Sequence, residues 1–550
     1  MTGASPALAR GAAGSRAPIL IALVAAVAQL IALAVYVPRL LVDITWNSDW
    51  VASMVISERL AMSHAPAYIA TGVYGFYSTL WFEEATVHLP AHRFIWLAEP
   101  AALSILGVAL LVYAAARAAG TWAAVLTLVL AIAPSSITLA HLLAPANRQP
   151  TWFTMCLLAA FVMLVASARR PGSRRTLVLA AAVGLVVGLN LASDPLMVLV
   201  SGVAPMLVAG VIVPVLSRNW RAVVPVALAT SVMALVAAVA SLVAHRQGIT
   251  TTGLPGGTSV AFATQQQLGT NLGLLFRGVM ENTNGGFLGE TVDRWSILQA
   301  VCFAAGFGAI AGVLLQAVRV IRAGAANATA ANPAAVGMVF WAVCIVMVAA
   351  AFTLSRIPEE TAEARYLVPA FFVVAAGLPL LTAGAGTRSR FILAAVAVAI
   401  AVSSFHAVKF AATRHTAAGL YTYELPALEN FLKGHDLTRG YGPYWDSSAI
   451  SWKSKMAVDI IPYDQCTSGP FGEPSSTTIC FHLGMTAVQS RPGRSFVVLD
   501  PLWLPDARVP ASQFGEPEST YSVGRFTVLV YPDDVGRRVM PPPGRSPFLR

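Results

Sequence analysis

The sequence predicts a multi-spanning α-helical membrane protein, with about 11 transmembrane helices, that ends in a small C-terminal α/β domain. Of its 550 residues, 57% are hydrophobic and only 11% are charged, and the mean hydropathy is +0.68. These values leave too few polar side chains to cover soluble domains of this length. Eleven apolar stretches, almost free of Asp, Glu, Lys and Arg, are long enough to cross a hydrocarbon core. An ordinary soluble enzyme is therefore excluded, and the net charge of +10 is not a nucleic-acid footprint.

The eleven predicted spans can be placed directly on the chain. They lie at residues 18–38, 99–116, 121–143, 152–168, 176–193, 196–216, 222–244, 296–318, 336–355, 366–386 and 391–408. Residues 247–276 also lack charge, but they are rich in Gly, Thr and Gln, which are costly to expose to lipid. This segment is therefore predicted to be an extramembrane or re-entrant loop.

The distribution of arginine predicts the orientation in the membrane. With the N-terminus in the cytoplasm, the inner segments carry 13 arginines and no acidic residue, as the positive-inside rule requires. An odd number of spans then puts the C-terminus outside. Three large segments face outward, at residues 39–98, 245–295 and 410–550. Chemistry is therefore expected on the periplasmic side of a bacterial inner membrane.

Residues 410–550 are predicted to form a soluble periplasmic α/β domain. The helical stretch LPALENFLKG precedes strand-like runs such as RSFVVLD and RFTVLVY, and turn-rich intervals separate them. About 130 residues are enough for a separate hydrophobic core. Cys466 and Cys480 lie in this domain, where an oxidising compartment favours a disulfide between them over a metal site.

Asp49 is the first candidate for a catalytic residue. It follows the first span in the setting WNSDW, at the start of a stretch whose apolar residues recur at near-helical spacing. That stretch is predicted to be an amphipathic helix lying on the membrane surface. A carboxylate at this boundary suits a general base acting on an incoming hydroxyl, and a helix N-cap is the structural alternative. Asp43, nearer to the first span, is a second candidate.

Arg365 is a candidate ligand for phosphate. It opens the tenth span in EARYLVPAFF on the outward side, where its guanidinium would lie at headgroup depth. The fixed fork of donors suits a lipid phosphate, through bidentate and charge-assisted hydrogen bonds. The alternative is an arginine that extends to the interface and anchors the helix.

A cluster of acidic and imidazole side chains lies in WFEEATVHLPAHRF. Glu84 and His88, and likewise His88 and His92, have the i,i+4 spacing of one helix face, but Pro90 interrupts a helix that carries both pairs. No cofactor is certain; a divalent metal could bind here, although a polar loop with weak ligand geometry explains the pattern better. Arg93, in the same run, is a candidate phosphate contact.

Four tryptophans lie in the first outward segment, namely Trp46, Trp50, Trp81 and Trp96. An interfacial aromatic belt accounts for them, and stacking on a sugar is the functional alternative, with Trp50 as a substrate-binding candidate. The sequence contains neither a glycine-rich phosphate loop with lysine nor a Ser/His/Asp signature. Their absence argues against an ATP-driven pump.

These motifs together resemble the GT-C superfamily of integral-membrane glycosyltransferases, which use polyprenyl-phosphate-linked sugars. The pattern is similar to the protein O-mannosyltransferases and to the aminoarabinose transferases of lipid A. It comprises an outward Asp after the first span, a surface helix, an Arg-Tyr-x-x-Pro start of a late span and a C-terminal outward domain. The stretch LENFLKGHDLTRGYGPYWDSSAISWKSKMAVDIIPY resembles the tail of some bacterial members.

The resemblance implies an inverting glycosyl transfer, catalysed by a transmembrane domain at residues 1–409. Asp49 would deprotonate the acceptor hydroxyl, and Arg365 would offset the negative charge that develops on the leaving lipid phosphate. Trp50 follows Asp49 where the mannosyltransferases have an Asp-Glu pair, so the sugar is not specified. The implied partners are a polyprenyl-phosphate-linked sugar, the lipid bilayer and an acceptor that is a protein, a lipid or a glycan.

Two other functions remain open at this stage. A transporter or lipid flippase fits the number of spans, but its spans usually carry paired interruptions or charged residues. A polymerase or ligase of surface polysaccharide uses the same compartment and the same lipid donors, but is expected to depend on a large periplasmic loop. Release of polyprenyl phosphate from a lipid-linked sugar by the purified protein separates an enzyme from a transporter.

Overall fold

The computed structural model describes most of the chain as a helical bundle followed by a mixed β-sheet. The described residues are 16–63, 69–70, 77–144, 148–216, 218–247, 249–250, 262–326, 332–356, 358, 361–382, 385–414, 424–465, 479–481, 493–503 and 508–539.

Among these residues, ten helices are long and apolar enough to cross a membrane, and two shorter helices bent by 89° form either a broken eleventh span or a re-entrant loop. The predicted fold class is thereby confirmed, and the 10 or 11 candidate spans agree with the prediction of about 11. The helices up to Arg414 are α1 Ala17–Ile44, α2 Ser48–Ser63, α3 Tyr77–Thr86, α4 His92–Ala119, the bent pair α5 Thr121–Ala131 and α6 Ser136–Leu143, α7 Gln149–Ser167, α8 Arg174–Ser193, α9 Pro195–Leu216, α10 Trp220–Arg246, α11 Gln265–Asn282, α12 Arg294–Ala326, α13 Pro333–Leu354, α14 Ala364–Leu381 and α15 Thr387–Arg414.

The bend between α5 and α6 is supported by side chains from distant helices. Pro134 cannot continue α5, because it lacks a backbone N–H, and Ser135 caps the start of α6. Asn284 Nδ2 donates to the Ala133 carbonyl over 3.0 Å, and Ser404 Oγ donates to the Pro134 carbonyl over 2.6 Å. Exposed carbonyls are costly at membrane depth, so these contacts fix the point at which the span turns.

Helices α8 and α10 approach each other through two glycines four residues apart. A Cβ atom at Gly184 would lie 2.6 Å from the Ala229 carbonyl oxygen, and one at Gly188 would lie 2.7 Å from Val236 Cβ. Small residues at this spacing let two helix backbones pack closely within a membrane.

The C-terminal part of the described chain is a six-stranded sheet with helices on it, which confirms the predicted α/β character. Its elements are α16 Leu425–Gly434, β3 Arg439–Pro443, α17 Tyr444–Lys453, β4 Asp459–Gln465, β5 Ile479–Phe481, β6 Ser495–Leu499, α18 Arg508–Phe514, β7 Ser519–Val523 and β8 Phe526–Tyr531, with β1 Ile69–Ala70 and β2 Ile249–Thr250 forming a separate parallel pair. The sheet order is β5-β4-β3-β6-β8-β7, and β3 runs parallel to both β4 and β6.

Both faces of this sheet are buried. On one face, Val498 and Val528 pack with Leu428 and Ile450 of helices α16 and α17. On the other face, alternate residues such as Val497 belong to a second core. Strand β6 is buried at all five positions, which explains its continuous hydrophobic run.

Helix α2 forms where the sequence predicts an amphipathic helix, but its apolar residues pack against protein and do not face lipid. Its residues 51–58 are all buried, because the helix lies between the bundle and the sheet domain. Arg59 pairs with Asp459 at 2.7 Å and also donates to the Ile460 carbonyl. Lys453 Nζ donates to the Val42 carbonyl over 2.8 Å. The sheet domain is thus attached on both sides of the first turns of α2, at Val42 before the helix and at Arg59 in its second half.

The prediction of a loop over residues 247–276 is wrong for its second half, which belongs to helix α11. Thr264 and Gln267 form a capping box at the start of this helix, and that pattern is a recognised helix-start signal. The abundance of glycine and glutamine obscured it. Helix α11 packs against the start of α14, where the chain carries Arg365.

Candidate active site

Asp49 lies in the first turn of α2 and faces the sheet domain. Its backbone N–H donates to Asn47 Oδ1 over 2.9 Å, so Asn47 supplies the capping acceptor at this end of the helix. The hydroxyl of Tyr444 donates to Asp49 Oδ1 over 2.5 Å. The half-buried carboxylate is therefore held by a contact across the two domains and is not used as a helix cap.

The first turn of α17 is fixed against the first turn of α2. Ser48 Oγ donates to the Trp445 carbonyl over 2.8 Å and accepts the backbone N–H of Ala449 over 3.2 Å. Tyr444 is the first residue of α17 and directly follows strand β3. Because β3 lies in the interior of the sheet, the tyrosine is presented from a rigid element.

Trp50 connects Asp49 to the bent helix pair. Its side chain is 8% exposed, and its indole meets the ring of His141 edge to face, with centroids 6.1 Å apart. His141 belongs to α6, which places the imidazole below the start of α2. The predicted sugar-stacking face of Trp50 is thus largely covered by protein.

Two arginines lie against the ring of one tyrosine, Tyr366. The guanidinium carbons of Arg365 and Arg148 lie 5.2 and 4.9 Å from the centre of the Tyr366 ring, and Gln149, next to Arg148, donates to the His141 carbonyl over 2.9 Å. The carboxylate of Asp194, only 1% exposed, pairs with Arg148 at 3.2 Å. Arginines stacked and paired in this way keep fixed forks of donors, an arrangement that suits phosphate.

Arg365 is positioned by helix α11. Asn282 Nδ2 donates to the Ala364 carbonyl over 2.8 Å, and a Cβ at Gly278 would lie only 2.5 Å from Leu367 Cδ1. The close packing fixes the turn that carries the guanidinium.

Other predicted residues lie outside this group. Arg93 pairs with Glu58 and donates to the Trp452 carbonyl over 2.7 Å, which makes it part of the contact between domains. Glu84 lies half-buried on α3, where burial raises the pKa of its carboxyl. Among the described residues, no group of three or more His, Cys, Asp and Glu side chains could hold a metal ion, and His92 instead contacts Glu58.

Two predictions cannot be placed. Asp43 belongs to α1, but its side chain lies outside the described residues, as do Cys466 and the side chain of Cys480. The disulfide therefore stays a prediction.

Sequence reasoning missed His141, Arg148, Asp194 and Tyr444. A signal did exist for two of them, because Arg148 and Asp194 are charged residues at the outward ends of predicted spans, and such residues are costly unless they are used or paired. His141 and Tyr444 carry no comparable local signal.

Comparisons with known proteins show similarity in structure. No protein-family model matches the sequence, and no curated protein matches it. The chain is similar to ArnT from Cupriavidus metallidurans in the apo state, with a TM-score of 0.54, 14% identity, and coverage of 93% of this chain and 98% of that chain. For the same protein bound to undecaprenyl phosphate, the TM-score is 0.52 and the identity 13%, with coverage of 93% and 99%. A complex of the Archaeoglobus fulgidus oligosaccharyltransferase with Zn and sulfate gives a TM-score of 0.47 and 13% identity, with coverage of 92% and 73%.

The chain therefore shares its fold with the two ArnT structures. The similarity to ArnT extends over nearly the full length of both chains.

Proposed function

We propose that this protein is a glycosyltransferase that moves a sugar from a polyprenyl-phosphate donor to an acceptor hydroxyl on the outer face of a bacterial inner membrane. One observation carries this proposal. Trp50, next to Asp49, contacts the ring of His141, Gln149 beside Arg148 donates to the His141 carbonyl, and Arg148 and Arg365 both lie against the ring of Tyr366. A carboxylate near a cluster of cations suits transfer from a lipid phosphate, which requires a base and a means of offsetting phosphate charge.

In the proposed reaction, Asp49 accepts the proton of the acceptor hydroxyl while the oxygen attacks the anomeric carbon of the sugar. The bond between that carbon and the phosphate oxygen breaks, and the polyprenyl phosphate leaves with the electron pair. Arg365 and Arg148 offset the negative charge on the phosphate. One displacement of this kind inverts the anomeric configuration. The donor is already activated, so the reaction needs no nucleoside triphosphate.

The partners and the orientation belong to the same proposal. ArnT, whose fold this chain shares, has been solved with undecaprenyl phosphate, which supports a donor of that lipid class here. The sheet domain is proposed to position the acceptor, because its residue Tyr444 contacts Asp49. The N-terminus is proposed to be cytoplasmic and the sheet domain periplasmic.

The test is turnover of a lipid-linked sugar by the purified protein in detergent. A panel of undecaprenyl-phosphate hexoses and pentoses is supplied with water or an added hydroxyl compound as acceptor, and released undecaprenyl phosphate is measured by mass spectrometry. Asp49→Asn keeps the shape of the side chain but removes the base, and is expected to lower kcat by about 10²- to 10⁴-fold. Arg365→Ala is expected to raise the donor KM by about 10- to 100-fold.

Two exposed residues, Glu290 and Arg277, provide matched controls. Glu290→Gln removes one exposed carboxylate, and Arg277→Ala removes an arginine that pairs with Glu281 on the surface of α11. Both are expected to keep wild-type turnover. Full activity of folded Asp49→Asn would remove the base from the proposal, and an unchanged donor KM in Arg365→Ala would remove the phosphate contact.

A further inference from the structure

The hydrogen bond between Tyr444 and Asp49 leaves the two carboxylate oxygens in different surroundings. Oδ1 accepts the tyrosine hydroxyl over 2.5 Å. Among the described residues, Oδ2 has no hydrogen-bond partner, although the side chain is half-buried. A carboxylate held in this way has a fixed orientation, with one oxygen occupied and the other able to accept a proton.

The interface does not depend on the tyrosine hydroxyl. Ser48 already links the first turns of α2 and α17 by two hydrogen bonds. The ion pair between Arg59 and Asp459 adds a separate attachment. Loss of the hydroxyl alone therefore leaves the two domains together and removes the contact with Asp49.

We propose that Tyr444 is a positioning residue for catalysis, an inference that rests on the proposed function of Asp49 as the base. The hydroxyl holds Oδ1 so that Oδ2 faces the acceptor, and the acceptor proton passes to Oδ2 while Tyr444 keeps its own proton. Correct placement of a base relative to the reacting hydroxyl governs the rate, and an error of about 1 Å can cost about 10²-fold. The active site is then composite, because the sheet domain completes a group carried by the membrane bundle.

The experiment compares Tyr444→Phe with a matched variant, Tyr441→Phe. Tyr441 also donates its hydroxyl to an aspartate, Asp534, over 2.6 Å, but does so inside the sheet domain. Both variants are assayed for release of undecaprenyl phosphate from the undecaprenyl-phosphate sugar that the parent protein turns over best. Tyr444→Phe is expected to lower kcat by about 10- to 100-fold with little change in donor KM. Tyr441→Phe is expected to lower the unfolding temperature but to keep the kcat of the folded protein.

A double-mutant cycle with Asp49→Asn separates positioning from a general loss of structure. Because Tyr444 is proposed to act only through Asp49, the double variant is expected to be no slower than Asp49→Asn alone. If the losses of kcat in the two single variants multiply in the double variant, the inference is overturned. It is also overturned if Tyr444→Phe keeps the wild-type kcat while Asp49→Asn is inactive. In that last case the base assignment stands. An active Asp49→Asn variant would overturn both proposals.

Discussion

Glu83 is a buried carboxyl that ties α3 to the helix carrying Asp49. It is 1% exposed, and the hydroxyls of Ser53 and Ser57 donate to its two oxygens over 2.8 and 3.0 Å. Burial raises the pKa of Glu83 from 4.5 to about 8, and the serine hydrogen bonds oppose part of this rise. The side chain is therefore neutral at pH 7 in the folded protein.

A Glu83→Gln variant is expected to flatten the dependence of stability on pH. Below about pH 4.5, the folded and unfolded parent chains both hold the proton. As the pH rises from there to about 8, only the folded chain keeps it, so the free energy of unfolding falls by about 1.4 kcal/mol for each pH unit. Because glutamine does not titrate, the free energy of unfolding of Glu83→Gln does not fall in this way as the pH rises. Thermal unfolding in detergent at about pH 5, 6.5 and 8 measures the difference.

The control for that comparison is Glu290→Gln, which removes one negative charge from an exposed position. An equal pH dependence in the parent and in Glu83→Gln would contradict a buried, neutral Glu83.

At the residue scale, the sequence reveals the parts of the candidate site that lie in short patterns. Asp49 in WNSDW and Arg365 in RYLVP can be singled out because their neighbours mark a helix start at the membrane boundary. Tyr444 cannot be found in this way, since it meets Asp49 across 395 positions of sequence. Such a contact depends on how the sheet domain docks, which no local pattern records.

At the scale of single helices, hydrophobicity predicts which segments span the membrane, but it does not predict where a span bends. The third predicted span, 121–143, is continuous in composition, yet it turns by 89°. Pro134 is the local cause, whereas Asn284 and Ser404 supply the distant hydrogen bonds that stabilise the turn.

Helix packing gives a prediction at this scale. A Gly188→Ala variant is expected to lower the free energy of unfolding by about 1–3 kcal/mol. Its Cβ would lie 2.8 Å from the Met233 carbonyl oxygen and 2.7 Å from Val236 Cβ, so α8 and α10 must separate. Thermal unfolding in detergent measures the loss.

Gly308→Ala is the matched control for the Gly188 variant. Gly308 also lies within a membrane-spanning helix, α12, but a Cβ there would have no atom within 4 Å. This change is expected to leave the unfolding temperature the same or slightly higher, because alanine is the better helix former. Equal losses in the two variants would contradict the close approach of α8 and α10.

At the scale of the whole molecule, the arginine distribution predicts that the loop between α7 and α8 and the sheet domain lie on opposite sides of the membrane. Gly172 in that loop and Ser522 on strand β7 are both exposed. In spheroplasts, a membrane-impermeant maleimide is expected to label Ser522→Cys above the background of the parent chain. Gly172→Cys is expected to be labelled only after lysis. Labelling of Gly172→Cys in intact spheroplasts would contradict the proposed orientation and indicate the opposite one.

Composition and periodicity are sufficient to predict the bundle and the sheet domain, because each buries its own hydrophobic residues. They do not predict how the two pack together. The contact between α2 and the sheet domain, which includes the ion pair of Arg59 with Asp459, depends on two segments far apart in the sequence. Each segment, taken alone, fits an ordinary helix or strand pattern. This is why the sequence favours a helix on the membrane surface at α2.

The packing of the sheet domain on α2 has a consequence for how proteins of this fold change their acceptor during evolution. Under the proposed function, every donor carries the same phosphate, whereas acceptors differ in shape. Changes of acceptor during evolution are therefore expected to accumulate in α17 and the neighbouring surface of the sheet. The helix ends around Arg148 and Arg365 are expected to stay constant. One donor-binding region could then be combined with many different acceptor-binding surfaces.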